Sequence, residues 1–194
     1  MQDVAREMNL SETVILFQEG NGFHLRLVHP DHRDGFPRAA RGSSQAPSEL
    51  IRGLGVTSRY VDRNRFDYLV EVESEKVGRG LDPDFRLLAT LPARRVMVTS
   101  LARSIPAYNF ICRFFAPQYG IDEDPVTDSA FCSLGSFWRQ RLQKDEFLVY
   151  QASARGDVVR VRVGDDERVH LGGQAVTVLR GELAQADSEL LPFL

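Results

Sequence analysis

The longest periodic pattern in the chain begins at Ser129 and predicts a buried helix. In the segment SAFCSLGSFWRQRLQ, the apolar residues recur at the spacing of a helix with a wide buried face. They are Ala130, Phe131, Leu134, Phe137, Trp138 and Leu142. We therefore predict a core helix here.

Shorter apolar runs, separated by turn residues, predict strands on both sides of this helix. Strands are predicted near residues 13–17, 23–28, 60, 68–72, 96–100, 110–115, 146–153, 158–163, 168–171 and 175–179. Short helices are predicted at 4–8 and 49–54 and around Glu75 and Phe85. The turn EGNG between the first two strands predicts a hairpin. The fold class is α+β, rich in strands, with one buried helix.

An acidic loop, GIDEDPVTDSA, runs directly into the core helix. Thr127, Asp128 and Ser129 are all good N-cap residues, and the N–H groups of a first helical turn can hold a carboxylate or an oxyanion. Asp124 lies just before them, and Pro125 restricts its backbone to extended conformations. The pattern predicts a carboxylate beside a helix N-terminus, which suits proton transfer on an anionic substrate. On spacing alone, the alternative that Asp124 is a solvated loop acid and Asp128 a cap is the more common case, because acids are frequent near helix starts.

Composition narrows the class of protein. A chain of 194 residues with 43% hydrophobic and 26% charged residues is typical of a globular protein with one good core or two small ones. The net charge of −3 comes from interspersed charges, so nucleic acid and anionic lipid are not expected partners. The apolar runs are strand-sized and the first residues do not resemble a signal peptide, so we expect no membrane span and a cytoplasmic location.

Cysteine and histidine give no sign of a metal site. Cys112 and Cys132 are the only cysteines, which is too few for a disulfide framework, and they lack zinc-ligand spacing. We expect both to be buried structural thiols. The four histidines are scattered, and no pair has helical ligand spacing backed by a carboxylate.

Four segments of the chain carry a family resemblance: MQDVAREMNLSET, FAPQYGIDEDPVT, QASARG and LGGQAVTV, the last followed by GEL. In this order they resemble the PhzF family of phenazine-biosynthesis-like isomerases. The resemblance implies a diaminopimelate-epimerase-like fold, in which two β-barrel-like domains each surround a central helix and the active site lies between them. It also implies acid–base proton transfer on a small anionic metabolite, with no metal or organic cofactor. The family's type member moves a proton between ring carbons of a dihydro-hydroxyanthranilate.

The resemblance also implies site residues. Glu12 matches the family's glutamate, which acts as base and acid, and Asp124 and Ser129 match its active-site acid and serine. A base of this kind needs a raised pKa and a nearby acid, which a closed cleft can supply by desolvation. Substrate binding is assigned to four further residues at the helix start and in turns that border the cleft: Asp128, Ala130, Gly156 and Gly173.

The chain also departs from the family. After the strand near 23–28, family members carry a Cys-Gly-His-Ala-Thr motif at the start of the first domain's central helix. Here a polar stretch, 29–47, stands in its place, unusually long for a structureless connection. We predict an internal deletion and a shortened N-terminus, with a first domain at 1–54, a second at 55–183 and a tail at 184–194. His29 and His32 lie at the strand end and in this stretch, and we do not take them as replacements for the missing histidine.

A lost central helix has a predicted cost. Five apolar residues of the first two strands would be exposed. Each large side chain that is not buried loses roughly 1.5 to 3 kcal/mol of stabilising free energy. They are Val14, Leu16, Phe23, Leu25 and Leu27. The second domain, a partner subunit or self-association can cover them, so a homodimer is among the expected assemblies.

Asp128 replaces a glycine of the family motif and leaves two interpretations open. It adds a negative charge where an anionic substrate group would bind, with a repulsion on the order of 1 to 4 kcal/mol. Alternatively, it caps the helix and points outward. Two functions likewise stay open: an isomerase or epimerase, or an inactive family member that serves as a binding module or is a truncated gene product.

Overall fold

The computed structural model describes residues 13–19, 22–28, 46–64, 66–165 and 168–174. Strands β1 (Thr13–Glu19) and β2 (Gly22–Val28) pair antiparallel, with Val14 opposite Leu27. The predicted hairpin is therefore confirmed. The helix predicted at 4–8, most of the polar stretch and the strand predicted at 175–179 lie outside the described residues.

Within the described residues, seven further strands form one mixed sheet in the order of the chain. They are β3 (Ser58–Arg63), β4 (Asp67–Val72), β5 (Arg95–Leu101), β6 (Phe110–Phe115), β7 (Glu146–Gln151), β8 (Asp157–Val163) and β9 (Val169–Gly172). β4 pairs parallel with β5 and β6 with β7, whereas the other neighbours are antiparallel. Each described strand lies where the sequence predicts one.

The helices in the described part of the chain are α1 (Ser48–Leu54), α2 (Glu75–Arg79), α3 (Phe85–Leu88) and α4 (Asp128–Leu142), and a 3-10 turn covers Pro117–Tyr119. α4 is the predicted core helix. Its Phe131, Leu134 and Trp138 side chains are fully or almost fully buried. The indole N–H of Trp138 donates to Thr99 Oγ1 at 2.9 Å, which satisfies its one polar group.

The sheet curls around α4. The ring centroid of Phe137 lies 5.6 Å from that of Tyr60 on β3, the first strand of the sheet. At the other end of the described strand order, a Cβ placed on Gly135 would lie 3.6 Å from Val169 on β9. Because the first and the last described strands of the sheet both approach the helix, the inner face of the sheet and α4 form one core.

A second core lies on the outer face of the sheet. Leu50 and Leu54 of α1 are 0% and 1% exposed, and they share a cluster with Leu88 of α3 and with Val70 and Val98 of the sheet. α1 therefore packs with the seven-stranded sheet, although the predicted domain boundary at 54/55 assigns it to the first domain.

α2 is joined to the segment after β5 by a buried carboxylate. Glu75 is 5% exposed and accepts hydrogen bonds from the N–H groups of Arg103 and Ser104 at 2.5 and 2.8 Å. The Ser104 hydroxyl and Arg79 Nε also donate to it. Burial would raise the pKa of Glu75, but these hydrogen bonds outweigh it and lower the pKa to about 2.

Candidate active site

The acidic loop places a carboxylate at the start of α4, as the sequence predicts. Thr127 is the N-cap residue, but its hydroxyl makes no bond back into the helix. Instead it donates to Asp124 Oδ2 at 2.5 Å, and the Asp124 N–H donates to the Phe114 carbonyl at 2.9 Å. The half-buried Asp124 is thus fixed through its main chain to β6 and through its carboxylate to the helix N-cap.

Gln151, the last residue of β7, holds this loop from the opposite side. It is 0% exposed. Its Oε1 accepts from the Thr127 N–H at 2.9 Å, and its Nε2 donates to the Asp124 carbonyl at 2.8 Å and to Thr127 Oγ1 at 3.3 Å. One buried amide therefore bonds to both ends of the segment between Asp124 and Thr127.

Arg113 of β6 anchors the residue before Asp124. Its Nε and Nη2 donate to the two carboxylate oxygens of Glu123 at 2.7 and 2.9 Å, and its Nη1 donates to the Leu81 carbonyl at 2.7 Å. Bidentate pairs of this kind fix orientation as well as distance. The acidic loop is thus held on both sides of its catalytic candidate.

Ser129 lies in the first turn of α4 and is 5% exposed. Its Oγ accepts a hydrogen bond from Arg95 Nη1 at 3.3 Å. The Arg95 guanidinium carbon also lies 5.5 Å from the ring centroid of Phe114 and 5.9 Å from that of Tyr119. A hydroxyl, a guanidinium and a helix N-terminus are groups that favour a negative charge.

Asp128 is the first residue of α4, and its Oδ1 accepts from the Ser129 N–H at 2.7 Å. One of the N–H groups that could hold an anion is therefore already bonded. Burial, and then the charge of Asp128, raise the pKa of Cys132 to about 11, so this charge acts on the first turn of the helix. Ala130 is 2% exposed and belongs to the core around α4, so its methyl group faces protein rather than the site.

Gly156 lies in a turn that contacts the acidic loop. Ser153 Oγ accepts from the Gly156 N–H at 3.1 Å and donates to the Pro125 carbonyl at 2.7 Å. Gly156 has a φ of 71°, and a Cβ there would lie 2.1 Å from the Tyr150 hydroxyl. Gly173 directly follows β9 and is exposed, with nothing within 4 Å of where its Cβ would be.

The third catalytic candidate, Glu12, lies outside the described residues, directly before β1. In the part of the chain that the structure describes, no three His, Cys, Asp or Glu side chains form a group that could hold a metal ion. The helices described there are also too short or too polar to cross a membrane. Cys112 is buried, and burial raises its pKa, as it does for Cys132.

The family model for phenazine biosynthesis-like proteins, PhzC-PhzF, matches residues 60–181. That range contains the described sheet from Tyr60 of β3 to β9, together with α4 and the acidic loop. The chain belongs to the PhzC-PhzF family. The predicted membership is therefore confirmed for the part of the chain that carries Asp124 and Ser129.

Two relatives match nearly the whole chain. An uncharacterized isomerase of Halalkalibacterium halodurans is 42% identical over 230 residues, which covers 94% of this chain and 86% of the relative. An uncharacterized isomerase of Pseudomonas aeruginosa is 36% identical over 228 residues, with the same coverage. Both alignments are longer than the 194 residues of this chain, so each relative contains residues that have no counterpart here, as an internal deletion predicts.

Solved structures of the family share the fold. A putative phenazine biosynthesis PhzC/PhzF protein from Clostridium difficile has a TM-score of 0.68 at 21% identity, over 95% of this chain and 87% of that one. A PhzF family protein from Enterococcus faecalis has a TM-score of 0.64 at 22% identity, over 91% and 86%.

Sequence reasoning missed three residues of the site: Arg95, Arg113 and Gln151. The signal for Gln151 is present in β7, where alternate residues from Phe147 through Val149 to Gln151 are buried. A glutamine on the buried side of a strand requires hydrogen-bond partners. The two arginines give no comparable local signal, because their partners are 10 or more positions away.

Proposed function

We propose that this PhzC-PhzF chain is a cofactor-independent isomerase or epimerase that moves a proton on a small anionic metabolite. Two relatives that cover most of the chain carry the name isomerase. The observation that carries the proposal is the fixed position of Asp124 at the start of α4, bonded to Thr127 and held by Gln151. A carboxylate whose main chain and side chain are both restrained is suited to accurate proton transfer.

Each site residue has a proposed role. Glu12 is the proton shuttle and Asp124 is the second acid–base group. Ser129 and Arg95 bind the negative charge that develops when a proton leaves carbon, because a hydroxyl and a guanidinium at a helix N-terminus favour that charge. Asp128 limits how much negative charge the substrate can present there.

The remaining binding roles follow from the positions of three small residues. Ala130 can contribute only through its main chain, because its side chain is in the core. Gly156 shapes the turn that contacts the acidic loop, and Gly173 borders the site from the end of β9. These three roles complete the proposed substrate site.

The proposed architecture is the diaminopimelate-epimerase-like one, with the active site between two domains. The β1–β2 hairpin belongs to the shortened first domain, and the proposed mechanism requires Glu12, which directly precedes β1, to face Asp124 across the cleft. We further propose that the chain works in the cytoplasm as a homodimer, in which a second copy covers the incomplete first domain. Sedimentation analysis of the intact chain measures that assembly directly.

Deuterium exchange tests the proposed chemistry. The chain is incubated in D2O with a panel of small unsaturated carboxylates, and deuterium on carbon is measured by mass spectrometry and NMR. We expect incorporation into at least one compound, loss of incorporation in Glu12→Gln, and a strong decrease in Asp124→Asn. Glu146→Gln, which changes an exposed glutamate on β7, serves as the matched control and keeps full exchange. Exchange that survives Glu12→Gln would remove the proposed shuttle.

The alternative is an inactive family member that binds without turnover. Two observations favour it: the Asp128 carboxylate occupies the Ser129 N–H, and the aligned relatives contain residues that this chain lacks. It predicts that a ligand of the panel protects the chain against thermal unfolding while no compound gains deuterium. Turnover by the wild-type chain would exclude it.

A further inference from the structure

We infer that Gln151 and Thr127 are positioning residues that fix Asp124 as a hydrogen-bond acceptor at Oδ2 before any substrate binds. They form a relay from amide to hydroxyl to carboxylate. Its catalytic meaning rests on the proposed function, but its geometry is independent of it. Sequence reasoning gives these two residues no role beyond helix capping by Thr127.

The direction of the relay begins with the orientation of the Gln151 amide. Its Oε1 lies 2.9 Å from the Thr127 main-chain nitrogen, and its Nε2 lies 2.8 Å from the Asp124 carbonyl oxygen. If the amide were flipped, its NH2 group would face an N–H donor and its oxygen would face a carbonyl acceptor. Both contacts would become repulsive, so only one orientation satisfies the two main-chain groups.

That orientation determines to which atom the Thr127 hydroxyl donates its hydrogen bond. Gln151 Nε2 lies 3.3 Å from Thr127 Oγ1 and can only donate to it. A hydroxyl has one proton, and the Asp124 Oδ2 lies 2.5 Å from the same oxygen. The hydroxyl therefore accepts from Gln151 and donates to Asp124.

Burial removes water as an alternative partner for the groups of the relay. Gln151 is 0% and Thr127 is 3% exposed, so water does not compete for their hydrogen bonds. In such surroundings, an unpaired amide or hydroxyl is costly. Asp124 is consequently oriented with Oδ2 occupied, and the proton that it exchanges with substrate must come and go at its other oxygen, Oδ1.

The relay has a spectroscopic signature that needs no substrate. The side-chain NH2 resonances of Gln151 are recorded in 15N-labelled protein under conditions in which circular dichroism shows every variant folded. We expect Thr127→Val, which replaces the hydroxyl with a methyl group, and Asp124→Asn to move these resonances, because each variant changes the chain of hydrogen bonds that starts at Gln151 Nε2. Thr127→Ser keeps the hydroxyl and should leave them near their wild-type positions. Resonances that stay at their wild-type positions in folded Thr127→Val or in folded Asp124→Asn overturn the inference.

Kinetics then separates this inference from the proposed function. With a compound that exchanges deuterium, Thr127→Val is expected to lower kcat on the order of 10- to 100-fold with little change in KM, and Thr127→Ser restores most of it. Unchanged kcat in Thr127→Val overturns the positioning role. If the resonance behaves as expected but the wild-type chain exchanges nothing, the relay stands and the isomerase proposal fails.

Discussion

Gly156 occupies a backbone conformation that other residues adopt only under strain. Its φ of 71° is in the left-handed region, and a Cβ added there would lie 2.1 Å from the Tyr150 hydroxyl. The Tyr150 ring stacks on the Tyr108 ring, with 5.5 Å between the ring centroids. We expect Gly156→Ala to lower the free energy of unfolding by about 1 to 3 kcal/mol, because left-handed strain and displacement of the ring add together. Urea denaturation measures the loss.

Gly173 is the matched control for this substitution. No heavy atom lies within 4 Å of its Cβ position, and its φ is outside the left-handed region. Gly173→Ala should stay within about 0.5 kcal/mol of wild type. Equal losses for the two variants would show that neither strain nor the Tyr150 contact matters at Gly156.

Individual residues differ in how far the sequence can predict their roles. The carboxylate at the helix start follows from local order alone, because Asp124 and the N-cap Thr127 are three positions apart. Gln151 is 24 positions from Thr127, and the two meet only because β7 pairs beside β6. Its role depends on sheet pairing, which single-residue patterns do not specify.

At the scale of elements, α2 is joined to the segment after β5 by one acid. The pKa of Glu75 is lowered to about 2 from an ordinary value of 4.5, so the ionised form stabilises the folded chain. This contribution is complete above about pH 4.5 and declines as the pH falls towards 2. We expect Glu75→Gln to lose about 2 to 3 kcal/mol at pH 7 and less at pH 3.5, measured by urea denaturation at both values.

An exposed glutamate provides the comparison. Glu146→Gln on β7 should change the free energy of unfolding by no more than about 0.5 kcal/mol at pH 7. If Glu75→Gln had the same small effect, or a larger effect at pH 3.5 than at pH 7, the hydrogen bonds to Arg103 and Ser104 would not hold the two segments together.

The elements were the most predictable part of the fold. Helical and strand periods gave β3 to β9 and α4 within a few residues, since each period is a local property. α4 begins at Asp128, one residue earlier than the predicted start at Ser129, because Thr127 takes the N-cap position. The Thr127 hydroxyl donates to Asp124 and not into the helix. The parallel pairs β4–β5 and β6–β7 had no local signal.

At the scale of the whole molecule, the border between domains can be tested with α1. Leu50 and Leu54 are buried on the outer face of the seven-stranded sheet. Their removal should cost roughly 4 to 8 kcal/mol, a large share of the stability of an ordinary domain. We expect a fragment of residues 46–194 to unfold in one cooperative thermal transition, and a fragment of residues 55–194 to lose that transition or to unfold at a much lower temperature.

Circular dichroism on both fragments distinguishes the outcomes. Equal transition temperatures would mean that α1 is dispensable for the sheet and that the border predicted at 54/55 is correct. The sequence gives no local reason to prefer either domain for α1. A long polar stretch separates it from β2, and Gly55 separates it from β3.

The seven strands are arranged in the order in which the ribosome makes them. Each strand after β3 emerges when its neighbour already exists, and α4 emerges between β6 and β7. A nascent chain that has just released α4 can therefore hold a four-stranded sheet on its helix, with β6 as the growing edge. Every later strand pairs with the strand made just before it. A strand that is not yet synthesised cannot pair wrongly, so this order of synthesis reduces the number of wrong pairings open to the chain.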